Sequence, residues 1–133
     1  MTYLLDVNAL LALGLHEHEF HARLARWVAA LPTDDVLATC PITELGFVRI
    51  LAQVPQYRIT IGQARTLLAR LKSARARRFT FIADDHGVEH LPPWVKTPRQ
   101  TTDGHLAALA AAHTARLATL DEGIPNAFLV PES

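Results

Sequence analysis

Hydrophobic positions along this chain switch repeatedly between short continuous runs and helical spacing. Residues 2–5 are a short apolar run of the kind that builds a buried strand. Residues 8–15 continue as an apolar turn or short helix. Over residues 19–31, Phe20, Leu24, Trp27, Val28 and Leu31 recur at helical spacing until Pro32 stops the pattern. Residues 35–39 read as a second strand. Pro41 suits the first position of a helix reaching about residue 53, ahead of Pro55. Thr60-Ile61-Gly62-Gln63 has the layout of a capping box and opens a helix over residues 61–73. Residues 78–83 alternate as a third strand. Residues 84–101, with Pro92, Pro93 and Pro98, read as loop with one turn of helix. Thr101 or Thr102 caps an Ala/Leu-rich helix to about residue 115, and residues 116–120 and 127–130 read as two further strands.

Strands alternating with helices imply parallel βαβ units, hence an α/β fold: a three-layer α/β/α sandwich around a mainly parallel sheet of four or five strands. At 133 residues, half of them hydrophobic, residues 1–133 suffice for one domain with its own core. In such folds ligands gather beyond the carboxyl ends of the strands, near a switch in strand order. Asp6 and Asp121 both follow strands directly, so both are expected on that edge.

Four acids interrupt this apolar pattern: Asp6, Glu44, Asp103 and Asp121. A carboxylate among apolar neighbours costs several kcal/mol of desolvation unless something pairs with it. No Lys or Arg lies within three residues of Asp6, Asp103 or Asp121. On a helix, Glu44 shares its face with Phe47, Val48 and Leu51, while Arg49 and Gln53 turn away. Asp103 likewise shares a face with Leu106, Ala107 and Ala110. Each acid also has an ordinary explanation. Glu44 can complement a helix dipole, Asp6 and Asp103 can cap helices, and Asp121-Glu122-Gly123 can be a turn. Asn8 lies on the side of Asp6 if the extended conformation persists, and Thr119 on the side of Asp121.

Composition narrows the chemistry. The longest apolar stretches are broken well before ~18 residues, so no transmembrane helix is expected. Asp6 interrupts the first apolar run, and no basic leader precedes it, which argues against a signal peptide. Cys40 is the only cysteine, which excludes a disulfide framework and a cysteine-based zinc site. A cytoplasmic protein is therefore expected. Thirteen basic residues balance 13 acidic ones, so net charge names no partner. Distribution says more: Arg65, Arg70, Lys72, Arg75, Arg77 and Arg78 fall in one stretch without an acid. Such a run is either a solvated helix face or a margin that grips phosphate.

Taken together, four neighbouring carboxylates would repel by several kcal/mol unless a cation neutralised them. Oxygen ligands select hard ions such as Mg²⁺ or Mn²⁺. Such an ion can activate water and stabilise charge on phosphate oxygens, which favours hydrolysis of a phosphodiester. Two alternatives remain: a haloacid-dehalogenase-type phosphatase with Asp6 as nucleophile, and a binding module without catalysis. The phosphatase is disfavoured by the lack of an Asp-x-Asp-x-Thr sequence.

Four motifs carry a resemblance that covers nearly the whole chain. They are Leu5-Asp6-Val7-Asn8-Ala9-Leu10-Leu11, Thr43-Glu44-Leu45-Gly46-Phe47-Val48-Arg49, Thr102-Asp103-Gly104-His105-Leu106-Ala107-Ala108 and Leu117-Ala118-Thr119-Leu120-Asp121. In this order and spacing the chain resembles the PIN-domain ribonucleases, and within them the VapC-type toxins of prokaryotic toxin–antitoxin pairs. The resemblance implies a PIN-like sandwich and a metal-dependent endoribonuclease. Asp6, Glu44, Asp103 and Asp121 would hold Mg²⁺ or Mn²⁺ directly or through water. Asn8, Thr43 and Thr119 would orient those carboxylates or waters. It also implies a homodimer, a VapB-type antitoxin whose tail covers the active-site groove, and an RNA substrate (tRNA, rRNA or mRNA). Arg49, Arg70, Lys72, Arg75 and Arg116 are candidate RNA contacts. The run His16-Glu17-His18-Glu19-Phe20-His21 is richer in histidine than the resemblance leads one to expect, and reads as an exposed helix entry. Asp84-Asp85 are expected to be solvated loop residues.

Overall fold

Every strand in the sheet runs the same way. The structure, a computed structural model, describes residues 1–132. In chain order the elements are β1 (Thr2–Leu5), α1 (Val7–Gly14), α2 (His21–Ala30), β2 (Val36–Thr39), α3 (Pro41–Gln53), α4 (Ile61–Ser73), β3 (Phe79–Phe81), α5 (Thr101–Ala112), β4 (Ala115–Thr119) and β5 (Phe128–Leu129). The strand order is β3-β2-β1-β4-β5, all parallel. The chain lays down β1, β2 and β3 outward, then returns to the other side of β1 for β4 and β5. The switch in direction therefore falls between β1 and β4, where a crevice opens beyond the carboxyl ends.

Successive side chains of β1 bury on opposite faces. Leu5 joins Leu37 and Ala118 in a core with α1–α4, centred on Leu10, Leu24, Phe47 and Leu51. Leu4 joins Ala38 and Leu117 in a second core with Leu106, Leu109 and Ala110 of α5. These two cores make the expected three layers. Among the described residues no helix is long and apolar enough to cross a membrane.

All five expected strands form, with ends moved by one or two residues. Three local expectations need correction. The helix before β4 ends at Ala112, not near residue 115, because Thr114 takes a left-handed conformation (φ 54°) and Ala115 already opens the strand. Neither Thr101 nor Thr102 caps α5. A 3₁₀ turn (Pro98–Gln100) runs straight into it, and Thr97 forms a capping box with Gln100 one turn earlier. The preceding segment holds a second 3₁₀ turn (Val88–His90), and a further one (Pro55–Tyr57) follows α3.

The basic run also divides. Arg77 is not on a phosphate margin: its guanidinium donates to the carbonyl oxygens of Val28, Leu31, Pro32 and Asp35. Those carbonyls cluster at the end of α2 and the turn after it, where Val28 and Pro32 also accept the N–H groups of Leu31 and Asp35, so Arg77 closes that helix.

Candidate metal centre

Asp6 stands where β1 stops and α1 starts. Its backbone N–H still bonds the Ala118 carbonyl in sheet fashion, while its Oδ1 accepts the Ala9 N–H at 2.8 Å as the cap of α1. Its Oδ2 accepts the Thr119 hydroxyl at 2.5 Å. Both oxygens are thus oriented, and the residue is only 6% exposed. Burial pushes its pKa up to about 6. The Thr119 and Ala9 hydrogen bonds partly oppose this, and the charges of Asp103 and Asp121 add to it.

Asp103 lies in the first turn of α5, half-buried. Burial first, and then the charge of Asp121, raises its pKa as well. Asp121 is exposed just beyond β4. Its backbone N–H donates to Thr119 Oγ1 at 2.9 Å, and its Oδ1 accepts the Gly123 N–H at 2.8 Å. The turn explanation of Asp121 is therefore correct, and it coexists with a place among the acids. Asp103 and Asp121 line one cavity of about 250 Å³ with Trp94, Thr97, Arg99 and Gln100. Thr119 links the group by donating to Asp6 and accepting from the Asp121 backbone.

Glu44 is held differently. Its Oε2 accepts the Thr39 hydroxyl at 2.6 Å and pairs with the Lys72 ammonium. Thr39 ends β2, so Glu44 lies on the same sheet edge as the other three. The charges that bear on Asp6 are nevertheless those of Asp103 and Asp121. Among the described residues, no three Asp, Glu, His or Cys side chains are close enough to enclose an ion. The structure brings Asp6, Asp103 and Asp121 into one electrostatic field and leaves Glu44 beside it, bound to a lysine.

The flanking residues sort less simply. Thr119, a candidate for orienting the carboxylates, donates its hydroxyl to Asp6. Thr43 does not orient a carboxylate: its hydroxyl accepts the Cys40 N–H at 3.0 Å and lies 3.1 Å from the Cys40 carbonyl, forming the cap of α3. Asn8 is exposed in the first turn of α1, because the chain is already helical there and the extended alternation has ended. Of the candidate RNA contacts, Lys72 adjoins Glu44. Arg49 is exposed on α3 near Gln53, and Arg70 is exposed on α4. Arg75 groups with Asp34 and Arg78, which precede β2 and β3, so it sits on the opposite edge of the sheet. Arg116 stacks over the Phe128 ring at 5.3 Å.

Two residues near the acids escaped the sequence reading: Thr39, and Arg99 in the Asp103–Asp121 cavity. Arg65 of the basic run lines a groove of about 710 Å³ beside Glu44. Arg99 had a signal, standing four residues before Asp103 at helical spacing. In the histidine run, His16 and His21 rings lie 4.8 Å apart, and His21 Nδ1 donates to the Ala12 carbonyl at 2.9 Å, at the entry to α2. Asp84 does not join the acids; it pairs with His105.

Residues 3–127 match the PIN domain family model. The chain belongs to the PIN-domain family. It is 43% identical to ribonuclease VapC38 of Mycobacterium tuberculosis (strain ATCC 25618 / H37Rv) over 91% of this chain and 86% of that protein. It is 37% identical to ribonuclease VapC29 of Mycobacterium tuberculosis (strain CDC 1551 / Oshkosh) over 98% of both chains. Among solved structures it superposes on Mycobacterium tuberculosis VapC20, a Sarcin-Ricin loop cleaving toxin, with a TM-score of 0.67 at 15% identity. That match covers 97% of this chain and 99% of the other. Rickettsia felis VapBC2, bound to a DNA fragment from its promoter, gives 0.61 at 17% identity over 97% of both chains. Within the family, the chain is one of the VapC-type ribonuclease toxins. The comparisons support neither the phosphatase nor the non-catalytic module.

Proposed function

We propose that this protein is the endoribonuclease toxin of a type II toxin–antitoxin pair and hydrolyses RNA phosphodiesters with Mg²⁺ or Mn²⁺ held at the Asp6 edge. The observation that carries the reading is the carboxylate of Asp6, buried, with its pKa pushed up to about 6 and two further acids adding their charge. Like charges gathered at a crevice with no basic partner of their own fit a cation. The donor set contains only oxygen, which suits a hard ion. Asp6, Asp103 and Asp121 would hold the ion directly or through water, since they do not enclose one side chain to side chain, and Glu44 would join by exchanging Lys72 for it. Bound there, such an ion would lower the pKa of a water and would supply positive charge for the phosphate.

The chain's own groups provide the rest. Thr119 and the Ala9 N–H keep the Asp6 carboxylate fixed, so it need not reorganise when substrate arrives. Lys72, Arg65 and Arg99 flank the acids and offer positive charge to an RNA backbone. Leu45, Ile61 and Phe81 are exposed along the groove beside Glu44. That apolar surface supports docking of a VapB-type antitoxin tail next to the site. A homodimer and a cytoplasmic location complete the reading.

The test is to incubate structured RNA with purified, antitoxin-free protein. Cleavage is expected with Mg²⁺ or Mn²⁺, and is expected to vanish with EDTA or in Asp6→Asn. Cleavage that persists in Asp6→Asn and in EDTA overturns the proposal.

A further inference from the structure

The three helices that carry acids hold their amino ends in different ways. Asp6 itself caps α1, and the Cys40–Thr43 box closes α3. α5, which carries Asp103, has no side-chain cap. Gln100 precedes it, and its Oε1 is taken by the N–H groups of Lys96 and Thr97. The 3₁₀ turn before α5 takes up part of that role, since the Thr101 N–H bonds the Pro98 carbonyl. Asp103 lies in the first turn of α5, where a partner outside the helix bears on its position.

The partner is Asp84. His105 Nε2 lies 2.6 Å from Asp84 Oδ2, with the two side chains only 16% and 11% exposed. Asp84 Oδ1 accepts the His86 N–H at 3.1 Å. Two residues earlier, the buried Ile82 donates its N–H to the Thr39 carbonyl at 2.8 Å, which ties this segment to the carboxyl edge of the sheet. Gly104 sits between Asp103 and His105. A Cβ there would lie 2.2 Å from Val95 Cγ2, so the first turn of α5 presses directly on the loop before it. Three consecutive residues thus meet the acid cluster, the loop and the sheet edge.

We propose that Asp84 and His105 are positioning residues: their hydrogen bond sets the Asp103 carboxylate in the metal centre, as outer partners of metal ligands do. The proposal rests on the metal reading above, and its test separates the two. Full-length protein stripped with EDTA is titrated with Mn²⁺, and free Mn²⁺ is followed by its electron paramagnetic resonance. His105→Ala is expected to weaken Mn²⁺ binding by about tenfold or more. RNA cleavage by the same variant is expected to recover when Mn²⁺ is saturating. His105→Gln, whose amide N–H reaches the place of Nε2, restores most of the affinity. A pair that only stabilises the fold would lower the melting temperature without moving Mn²⁺ affinity. If His105→Ala does not fold, Asp84→Asn carries the test, because it keeps an acceptor for His105 but removes the charge; severalfold weaker binding is expected. Wild-type protein that binds no Mn²⁺ overturns the metal reading and this proposal with it. Wild type that binds Mn²⁺ while the folded variants bind equally well overturns the positioning role alone.

Discussion

Two carboxylate neighbourhoods share one sheet edge, and the fold treats them oppositely. Glu44 is compensated within the protein, by the Thr39 hydroxyl and the Lys72 ammonium. Asp6 has two neutral hydrogen-bond donors and two acids whose charges add to its difficulty. Glu44 could be explained as an ordinary ion pair between helices. Asp6 could not, since a buried acid held above its ordinary pKa is a cost that structure alone does not require. On the proposed reading, the difference would put the cation on the β1–β4 side of the edge and make Glu44 a conditional ligand.

The largest expected effects are on catalysis. Asp6→Asn and Asp103→Asn should each lower RNA cleavage by about 10²–10³-fold or more, measured as initial rates at saturating Mn²⁺. Glu44→Gln should lose less, because its carboxylate is already engaged by Lys72. Equal losses at all three positions would erase the contrast between the two neighbourhoods.

The second effect runs the other way, on stability. The Asp6 pKa lies near 6 in the folded state against an ordinary 3.8, so the unfolded chain ionises first as pH rises. This acid's contribution to stability is therefore complete below about pH 4, falls as pH climbs towards 6, and is flat above it. The shift corresponds to about 3 kcal/mol at most. Asp6→Asn should stabilise the metal-free protein at pH 7 by about 1–3 kcal/mol in urea unfolding, while abolishing stabilisation by added Mn²⁺. An Asp6→Asn protein less stable than wild type at pH 7 would mean that the carboxylate is compensated after all.

Two smaller effects sharpen the picture. Thr119→Val removes the hydroxyl that opposes the rise in the Asp6 pKa, so that pKa should climb further and cleavage should fall by about 10-fold or more. Lys72→Met leaves Glu44 without its cation and should cost about 1 kcal/mol in thermal unfolding, since the pair is partly exposed. Added Mn²⁺ should recover part of that loss if the ion takes the lysine's place.

The layer order, all five strands and the edge holding the acids were legible in the sequence, because β2 is buried throughout and β1 is buried at its carboxyl end, which forces short apolar runs. What failed was local and had local causes. Strand alternation puts Asn8 on the side of Asp6, yet the same carboxylate that ends β1 starts α1 and switches the period. The resemblance makes Thr43 a partner for a carboxylate, but three residues after Cys40 its hydroxyl is spent on the cap of α3. Thr39 does that work for Glu44 from the end of another element. Lys72, 28 residues from Glu44, and Arg77, bridging to carbonyls more than 40 residues away, depend on helix packing that no local window contains. A run of positive charge did not distinguish the lysine beside the site from the arginine that closes a helix.

On the proposed reading, the buried Asp6 carboxylate receives a cation. The direct measurement is the ¹³C chemical shift of the Asp6 carboxyl carbon, titrated with pH in metal-free protein and again with saturating Mg²⁺. The account predicts a midpoint near 6 without the ion and one below the ordinary 3.8 with it. A midpoint near 4 in metal-free protein, or one that Mg²⁺ leaves unmoved, would contradict it.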